Sequence, residues 1–453
     1  MSDSNTICNS INVNVKIENS FISSDQSEHD SMLKTIHIRS FRCFDDLTLD
    51  LSGPRGSALG YAAVYGRNGS GKSALVGAVE FLCRTMRSFP ADGGAIASVE
   101  SLTASVREEA MVGSGTGPSV GIGFVLDCDA GEYEVSFDDD GMLQSEILRF
   151  RVGTRKGTVF SISRKDGGYD VFVNRRSVTD RRLREELSSD AGRYLGAHTM
   201  LSIILYRRRT SNREYMDTFS DPGIGRALDF LCSINTGPGG DAMDWLYTNP
   251  LSGTAHRRDL PALEAYGHAL ERFLRRIDPD TVSVRYVTGD GDAAVPYELR
   301  VVREISGSER EIPANREPAG TLSLIHALPR LLSSACGGIS VVDGLGAEVH
   351  ESLLSDILGE MLPDLRGQLV FTTHSTALLN VVDPRHVSVL DVDLDGDRKA
   401  HRLKDVTVLR TGHNIRDRYV RGEMGGVPVT GRIDLDQIAG TLQGELGCPG
   451  YRT

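Results

Sequence analysis

From Leu33 onward apolar and polar residues alternate. Leu33, Ile36, Ile38, Phe41 and Phe44, then Leu47, Leu49 and Leu51 at period two, predict a β-hairpin at the edge of a sheet. Gly60 to Tyr65 is a short apolar run, which predicts a buried strand ending at Gly66. Beyond a glycine-rich turn, Leu75, Ala78, Val79 and Leu82 recur at helical spacing. Strand patterns follow at Val120–Leu126, Tyr133–Phe137 and Tyr169–Val173, and helical ones at Arg181–Leu187 and Leu263–Ile277. After Thr281, Val282, Val284 and Tyr286 alternate up to Gly289-Asp290-Gly291-Asp292, and Tyr297, Leu299 and Val301 alternate beyond it, which predicts a second hairpin. From Gly320 to about Val389 helix and strand alternate again. Gly113–Pro118 and Gly237–Gly240 read as surface loops, and residues 1–31 lack apolar periodicity and read as a disordered tail.

The strand, turn and helix around residue 70 carry the most specific chemistry. Gly66-Arg67-Asn68-Gly69-Ser70-Gly71-Lys72-Ser73 fits G-x-x-x-x-G-K-[ST], placed after a buried strand and at the start of a helix. The glycines let backbone N–H groups turn inward around a β-phosphate, and the helix start adds the positive end of its dipole. Lys72 supplies a cation for the β- and γ-phosphates, and the Ser73 hydroxyl serves Mg²⁺. Such a loop needs a carboxylate at the end of a neighbouring apolar strand, and Ile339-Ser340-Val341-Val342-Asp343 provides one. Leu369-Val370-Phe371-Thr372-Thr373 is a further apolar strand, ending at His374-Ser375. Its C-terminal end lies on the ligand side of an open α/β sheet, where His374 would sense a γ-phosphate; taken alone, a structural role also accounts for it.

Composition narrows the setting. The 453 residues, 40% hydrophobic and 25% charged, suit one large α/β domain with an inserted subdomain or two ordinary domains. No window approaches the roughly 18 to 20 apolar residues of a membrane span, and the polar, acidic start does not resemble a secretory signal, so a cytoplasmic protein is expected. Seven singly scattered cysteines suggest neither a disulfide framework nor a zinc site. A net charge of −12 disfavours direct nucleic-acid binding by the whole surface. Arg175-Arg176, Arg181-Arg182-Arg184 and Arg207-Arg208-Arg209 are local exceptions. They read mainly as solvated faces, ion-paired in part with Glu185 and Glu186.

The strand-end aspartate, the Leu-x-x-x-x-His stretch and the Thr-Thr-His-Ser strand end together resemble the ABC-type ATPases of the SMC, RecF and OLD kind. More specifically, the chain resembles the AAA-type ATPases of bacterial phage-defence and abortive-infection systems, such as RloA, AbiL and the AriA sensor of PARIS. The likeness takes in Leu33 to Arg42, Ser145-Glu146-Ile147-Leu148, Glu317-Pro318-Ala319-Gly320-Thr321 and Tyr419 to Pro428. It implies an α/β P-loop NTPase of ABC-ATPase head type, with an edge β-subdomain and a mainly helical insertion. Residues 1–31 would be the tail and 32–150 the N-terminal half of the head with the Walker A loop. Residues 151–315 would be an insertion of β-hairpins and a helical lid, and 316–453 the C-terminal half with the signature, Walker B and His-switch regions. It further implies heads that pair head to tail as a homo-oligomer, each ATP·Mg²⁺ meeting Gly320 and Thr321 of a neighbour's signature segment.

Two positions depart from that pattern. Pro318 stands at the signature serine, and Gly344 follows Asp343 where a water-orienting glutamate is usual. ATP binding is therefore expected with slow hydrolysis, Glu348 being the nearest substitute base. The resulting expectation is an ATP-binding sensor or scaffold of an antiviral defence system that controls a separate, nuclease-like effector. The alternative is a RecF-like ATPase of DNA repair or maintenance acting directly on DNA. Asp391-Val392-Asp393-Leu394-Asp395-Gly396 mimics the start of a calcium loop, but the twelfth position is Arg402, so a hairpin tip is expected there.

Overall fold

The computed structural model describes residues 31–89, 99–165, 167–196, 198–210, 220–235, 249–291, 294–406 and 414–427, with isolated positions at 435, 439 and 441. The expected tail and the loop at 237–240 lie outside them, apart from Ser31, which opens the first strand.

Along the chain come β1 (Ser31–Phe41), β2 (Phe44–Asp50), β3 (Tyr61–Gly66), α1 (Lys72–Met86) and α2 (Val99–Glu109). A run of strands follows: β4 (Ser119–Leu126), β5 (Asp129–Phe137), β6 (Leu143–Val152), β7 (Arg155–Lys165) and β8 (Gly168–Val173). Helices α3 (Arg181–Tyr194), α4 (Met200–Thr210) and α5 (Pro222–Ser233) lead to β9 (Ser252–His256), α6 (Leu260–Ile277), β10 (Thr281–Thr288), β11 (Ala294–Ile305) and β12 (Ser308–Pro313). The last part holds α7 (Ala319–Ala335), β13 (Ile339–Val342), α8 (Glu351–Met361), β14 (Gln368–Thr372), β15 (Val387–Val392), β16 (Arg398–Arg402), α9 (Leu403–Val406) and α10 (Ile415–Val420).

Three sheets organise these elements. A five-stranded sheet runs in the order β13-β14-β3-β15-β16, parallel except for the last pair. Its central strands are continuous apolar runs because both faces are covered. On one face lies α1, whose Leu75, Val79 and Leu82 join a core with Leu33, Ile36 and Ile38 of β1. On the other, Leu354 and Leu358 of α8 pack with Phe371 and Leu369. The seven-stranded antiparallel sheet, β2-β1-β4-β5-β6-β7-β8, lies across α1, and β9 to β12 form a smaller antiparallel sheet against α6 and α7. Helix α1, carrying the phosphate loop at its start, is thus held between two sheets. Sequence registers place both expected hairpins, β1 with β2 and β10 with β11, and the Asp391 segment is a hairpin tip with Leu394 fully exposed. The boundary expected at 150/151 falls inside β6, because β7 and β8 continue the same sheet. Residues 151–315 accordingly carry strands as well as helices.

Glu146 sits on the buried face of β6, where the pleat would ordinarily place an apolar side chain. Its carboxylate accepts from the Tyr133 hydroxyl (2.9 Å) and from the backbone N–H groups of Met200 and Leu201, anchoring the start of α4 to the sheet. Burial pushes its pKa from an ordinary 4.5 up to about 7, against those three donors, which favour the ionised form. The folded chain therefore keeps this proton up to about pH 7, whereas the unfolded chain releases it near 4.5. The contribution to stability is full below the lower value and is lost as pH rises through the upper, by on the order of 3 kcal/mol. Urea unfolding at pH 5 and pH 8 is expected to show this loss in the natural chain and a flatter profile in Glu146→Gln. An identical pH slope in the two proteins would show that the carboxyl stays ionised when buried.

Candidate nucleotide site

Strand β3 ends at Gly66 and the chain turns through Arg67 to Gly71 into α1. Gly71, at φ 104°, lies in the left-handed region, and a Cβ there would sit 2.5 Å from the Phe44 ring. Only glycine lets the β1–β2 turn close over the loop at that point. The Lys72 side chain, 7% exposed, folds back so that Nζ donates to the carbonyls of Gly66 (2.7 Å) and Arg67 (3.0 Å). Ser70 is fully buried, and its Oγ has no hydrogen-bond partner in the structure. An orphaned buried hydroxyl inside a loop closed by a buried ammonium fits a phosphate-bearing ligand, whose oxygens satisfy such groups.

The parallel register then brings the other expected residues alongside. β14 pairs with both β13 and β3, so Asp343, after β13, and His374, after β14, emerge at the same sheet end as Gly66. The Thr372 hydroxyl donates to Asp343 Oδ1 (2.6 Å) and accepts from the N–H of Gly344 (2.8 Å). That bridge fixes the carboxylate with one oxygen free. Burial lowers the Lys72 pKa, and the Asp343 charge works against the shift. Burial and then the Lys72 charge lower that of His374, again opposed by Asp343. These mutual effects place the three side chains within electrostatic reach of one another, and they hold His374 below the ordinary imidazole pKa. Ser73, at the start of α1, is exposed. Ser73 and Asp343 are the groups that would hold Mg²⁺, an ion that takes one or two protein ligands and completes its shell with phosphate and water. When bound, it would neutralise charge between the β- and γ-phosphates.

Other expected residues stand apart. A Cβ at Gly320 would lie 2.8 Å from the carbonyl oxygen of Glu348, so this glycine lets the start of α7 pack against the loop after Asp343 in its own chain. Pro318 caps α7 with no side-chain hydrogen bond, and Glu317 before it is buried against Arg303. Glu348 itself is exposed. Gly344 has φ 60°, so the position after Asp343 is a left-handed turn as well as one without a carboxylate.

Sequence reading assigned no role at the site to three contributors, although the likeness took in the Thr-Thr-His-Ser strand end and Tyr419 to Pro428. Thr372 orients Asp343. Arg398 of β16 donates to the carbonyls of Cys43 (3.1 Å) and Gly69 (3.4 Å), tying the hairpin turn to the phosphate loop. The segment at 414–427 closes the side of the site: the Tyr419 ring meets Tyr65 edge-on, Tyr419 donates to Gly426, and Gly426 lies against Gly66. The Thr-Thr doublet was a readable signal for the first; a lone arginine in a hairpin carried none for the second.

A parallel sheet with its phosphate loop at the centre, an antiparallel sheet across α1, and Asp343 and His374 at adjoining strand ends define an ABC/AAA-type P-loop ATPase head. The chain belongs to the family described as "AAA domain, putative AbiEii toxin, Type IV TA system", whose model matches residues 62–380 and so spans Lys72, Asp343 and His374. Among solved structures it is similar to the SMC head bound to the C-winged helix domain of ScpA, at 13% identity and a TM-score of 0.43, covering 82% of this chain and 97% of that one. It is also similar to the recombination mediator RecF with ATPrS, at 13% identity and a TM-score of 0.37, covering 82% and 98%. No curated protein matches by sequence. Among the described residues, no helix is long and apolar enough to cross a membrane.

Proposed function

We propose that this chain is an ATP-binding sensor or scaffold of a bacterial anti-phage defence system, in which nucleotide-gated association of heads in the cytoplasm controls a separate, nuclease-like effector. The observation that carries the reading is a complete phosphate and metal set followed by a glycine. Lys72, Ser73 and Asp343 suit Mg-ATP binding, whereas Gly344 offers no group to orient an attacking water. A site of that kind holds ATP longer than it consumes it, which suits a switch. The toxin–antitoxin description of the family supports the defence setting. On this reading the half-buried Gly320 and Thr321, at the start of α7, approach the γ-phosphate of a neighbouring head, and His374 approaches it from within its own.

Sedimentation velocity tests the gate. Mg-ATP is expected to shift the natural chain to a larger species and to leave Lys72→Ala unchanged. A second arm tests the setting: cells carrying the gene with its neighbours should resist phage, and lose that resistance with Lys72→Ala. No nucleotide-dependent change in mass, or resistance indifferent to Lys72, would contradict the proposal.

A further inference from the structure

A sizeable cleft lies apart from the phosphate loop. It measures about 1230 Å³ and lies where the β6–β7 turn, the end of β8 and the first turns of α3 meet. Arg155, Lys156, Arg175, Arg176, Arg181 and Arg184 line it, with Glu185 as the acidic residue on its wall. The chain as a whole carries a net charge of −12, so this concentration of cations reverses the sign of the surrounding surface.

How each cation is engaged separates a working site from a solvated face. Arg181 is paired with Glu185, and Lys156 with Glu132, both in exposed ion pairs that exchange readily. Arg184 donates to the carbonyls of Val178 and Thr179, which sets its plane without neutralising it. Arg155, Arg175 and Arg176 pair with no carboxylate among the described residues. The turn that carries two of them is braced: Asn174 Oδ1 accepts from the N–H of Arg176 (2.9 Å), and its carbonyl accepts from Ser177 and Val178 (3.0 Å each). The guanidinium groups are therefore presented from a fixed backbone. Phe172 also lines the cleft and is 49% exposed, on the face of β8 opposite to the half-buried Val171 and Val173.

We infer that this cleft binds single-stranded nucleic acid. Guanidinium groups without partners suit phosphodiester oxygens, and an exposed aromatic ring on the same cleft suits a stacked base. A concave groove between a hairpin turn and a helix admits a flexible strand, whereas a rigid duplex needs a longer, open track. An acidic polypeptide would use the charges but not the aromatic platform. The cleft shares no residue with the phosphate loop, so the two sites are separable by mutation.

Fluorescence anisotropy of the full chain with labelled oligothymidylate and oligouridylate, each about 20 nucleotides long, at low and near-physiological salt, provides the test. Binding of either oligomer is expected, the tighter one showing whether a DNA or an RNA strand is the better ligand. Changing Arg155, Arg175 and Arg176 together to serine should weaken binding at least tenfold and lower the slope of log affinity against log salt by about 2, since each phosphate contact on a single strand accounts for roughly 0.7. Phe172→Ala should weaken binding and leave that slope unchanged. Both variants should keep Mg-ATP binding, which confirms that they fold. Failure of the natural chain to bind either oligomer, or a triple-serine variant with the same affinity and slope, would overturn the inference. Competition by polyglutamate as strong as by unlabelled oligomer would also overturn it and assign the cleft to an acidic protein.

Discussion

Lys72→Ala is expected to lower the affinity for Mg-ATP by about 100-fold or more. The ammonium is the side-chain cation that the loop places at its centre, and it is buried, with Nζ held by the Gly66 and Arg67 carbonyls. A bound triphosphate would recruit it from those weaker, uncharged acceptors. Charge-assisted hydrogen bonds of that kind are each worth roughly 1.5 to 3 kcal/mol, so losing two leaves a deficit of at least 3 kcal/mol. Burial already lowers the Lys72 pKa, a cost that a phosphate group repays by favouring the charged form. Titration calorimetry measures the loss, and an unchanged melting temperature without nucleotide shows that the fold persists. Unaltered affinity would mean that the phosphates bind elsewhere.

Legibility in the sequence followed how far local pattern reports on burial. Strand β3, the turn and α1 were readable because a run of apolar residues, a glycine string and a helical period each have a single local cause. The β1–β2 and β10–β11 hairpins were readable for the same reason. Strand β6 was not, because its buried face includes Glu146, and a charge there breaks the visible alternation that Leu148, Phe150 and Val152 otherwise keep. Helix α4 was missed because its first half, Met200 to Leu205, is apolar apart from Ser202 and its second half is arginine-rich, leaving no period of 3.6. At the site, Lys72 and Asp343 belong to motifs whose chemistry dictates their spacing. Arg398 reaches Gly69 from 329 residues away, through a pairing of strands that no local pattern encodes. Gly320 shows the converse: its place in a motif suggested a contact with a neighbouring molecule, and the fold supplies a reason within the chain, the close approach of the Glu348 carbonyl.

Hydrolysis of ATP by this chain is expected to be slower than about one turnover per minute, a barrier near 20 kcal/mol. An in-line attack needs a water that is oriented and polarised, and in heads of this type the residue after the metal-site aspartate is placed to do so. Gly344 has neither a carboxylate nor the backbone to present one easily. At φ 60° a side chain costs about 1 to 2 kcal/mol, even though a Cβ there would meet nothing within 4 Å. Gly344→Glu should therefore speed turnover only modestly. Glu348 is exposed and lies beyond two further turns of the loop, with its carbonyl packed on Gly320. Ground-state binding, which we propose to rest on Lys72, Ser73 and Asp343, would be untouched by the missing base.

The most direct measurement is steady-state phosphate release by the purified natural chain at saturating Mg-ATP, set beside Glu348→Gln. Release below about one per minute, the same in both proteins, is the predicted result. Fast release that disappears in Glu348→Gln would contradict the account, showing that Glu348 serves as the base and that ATP is consumed as fuel.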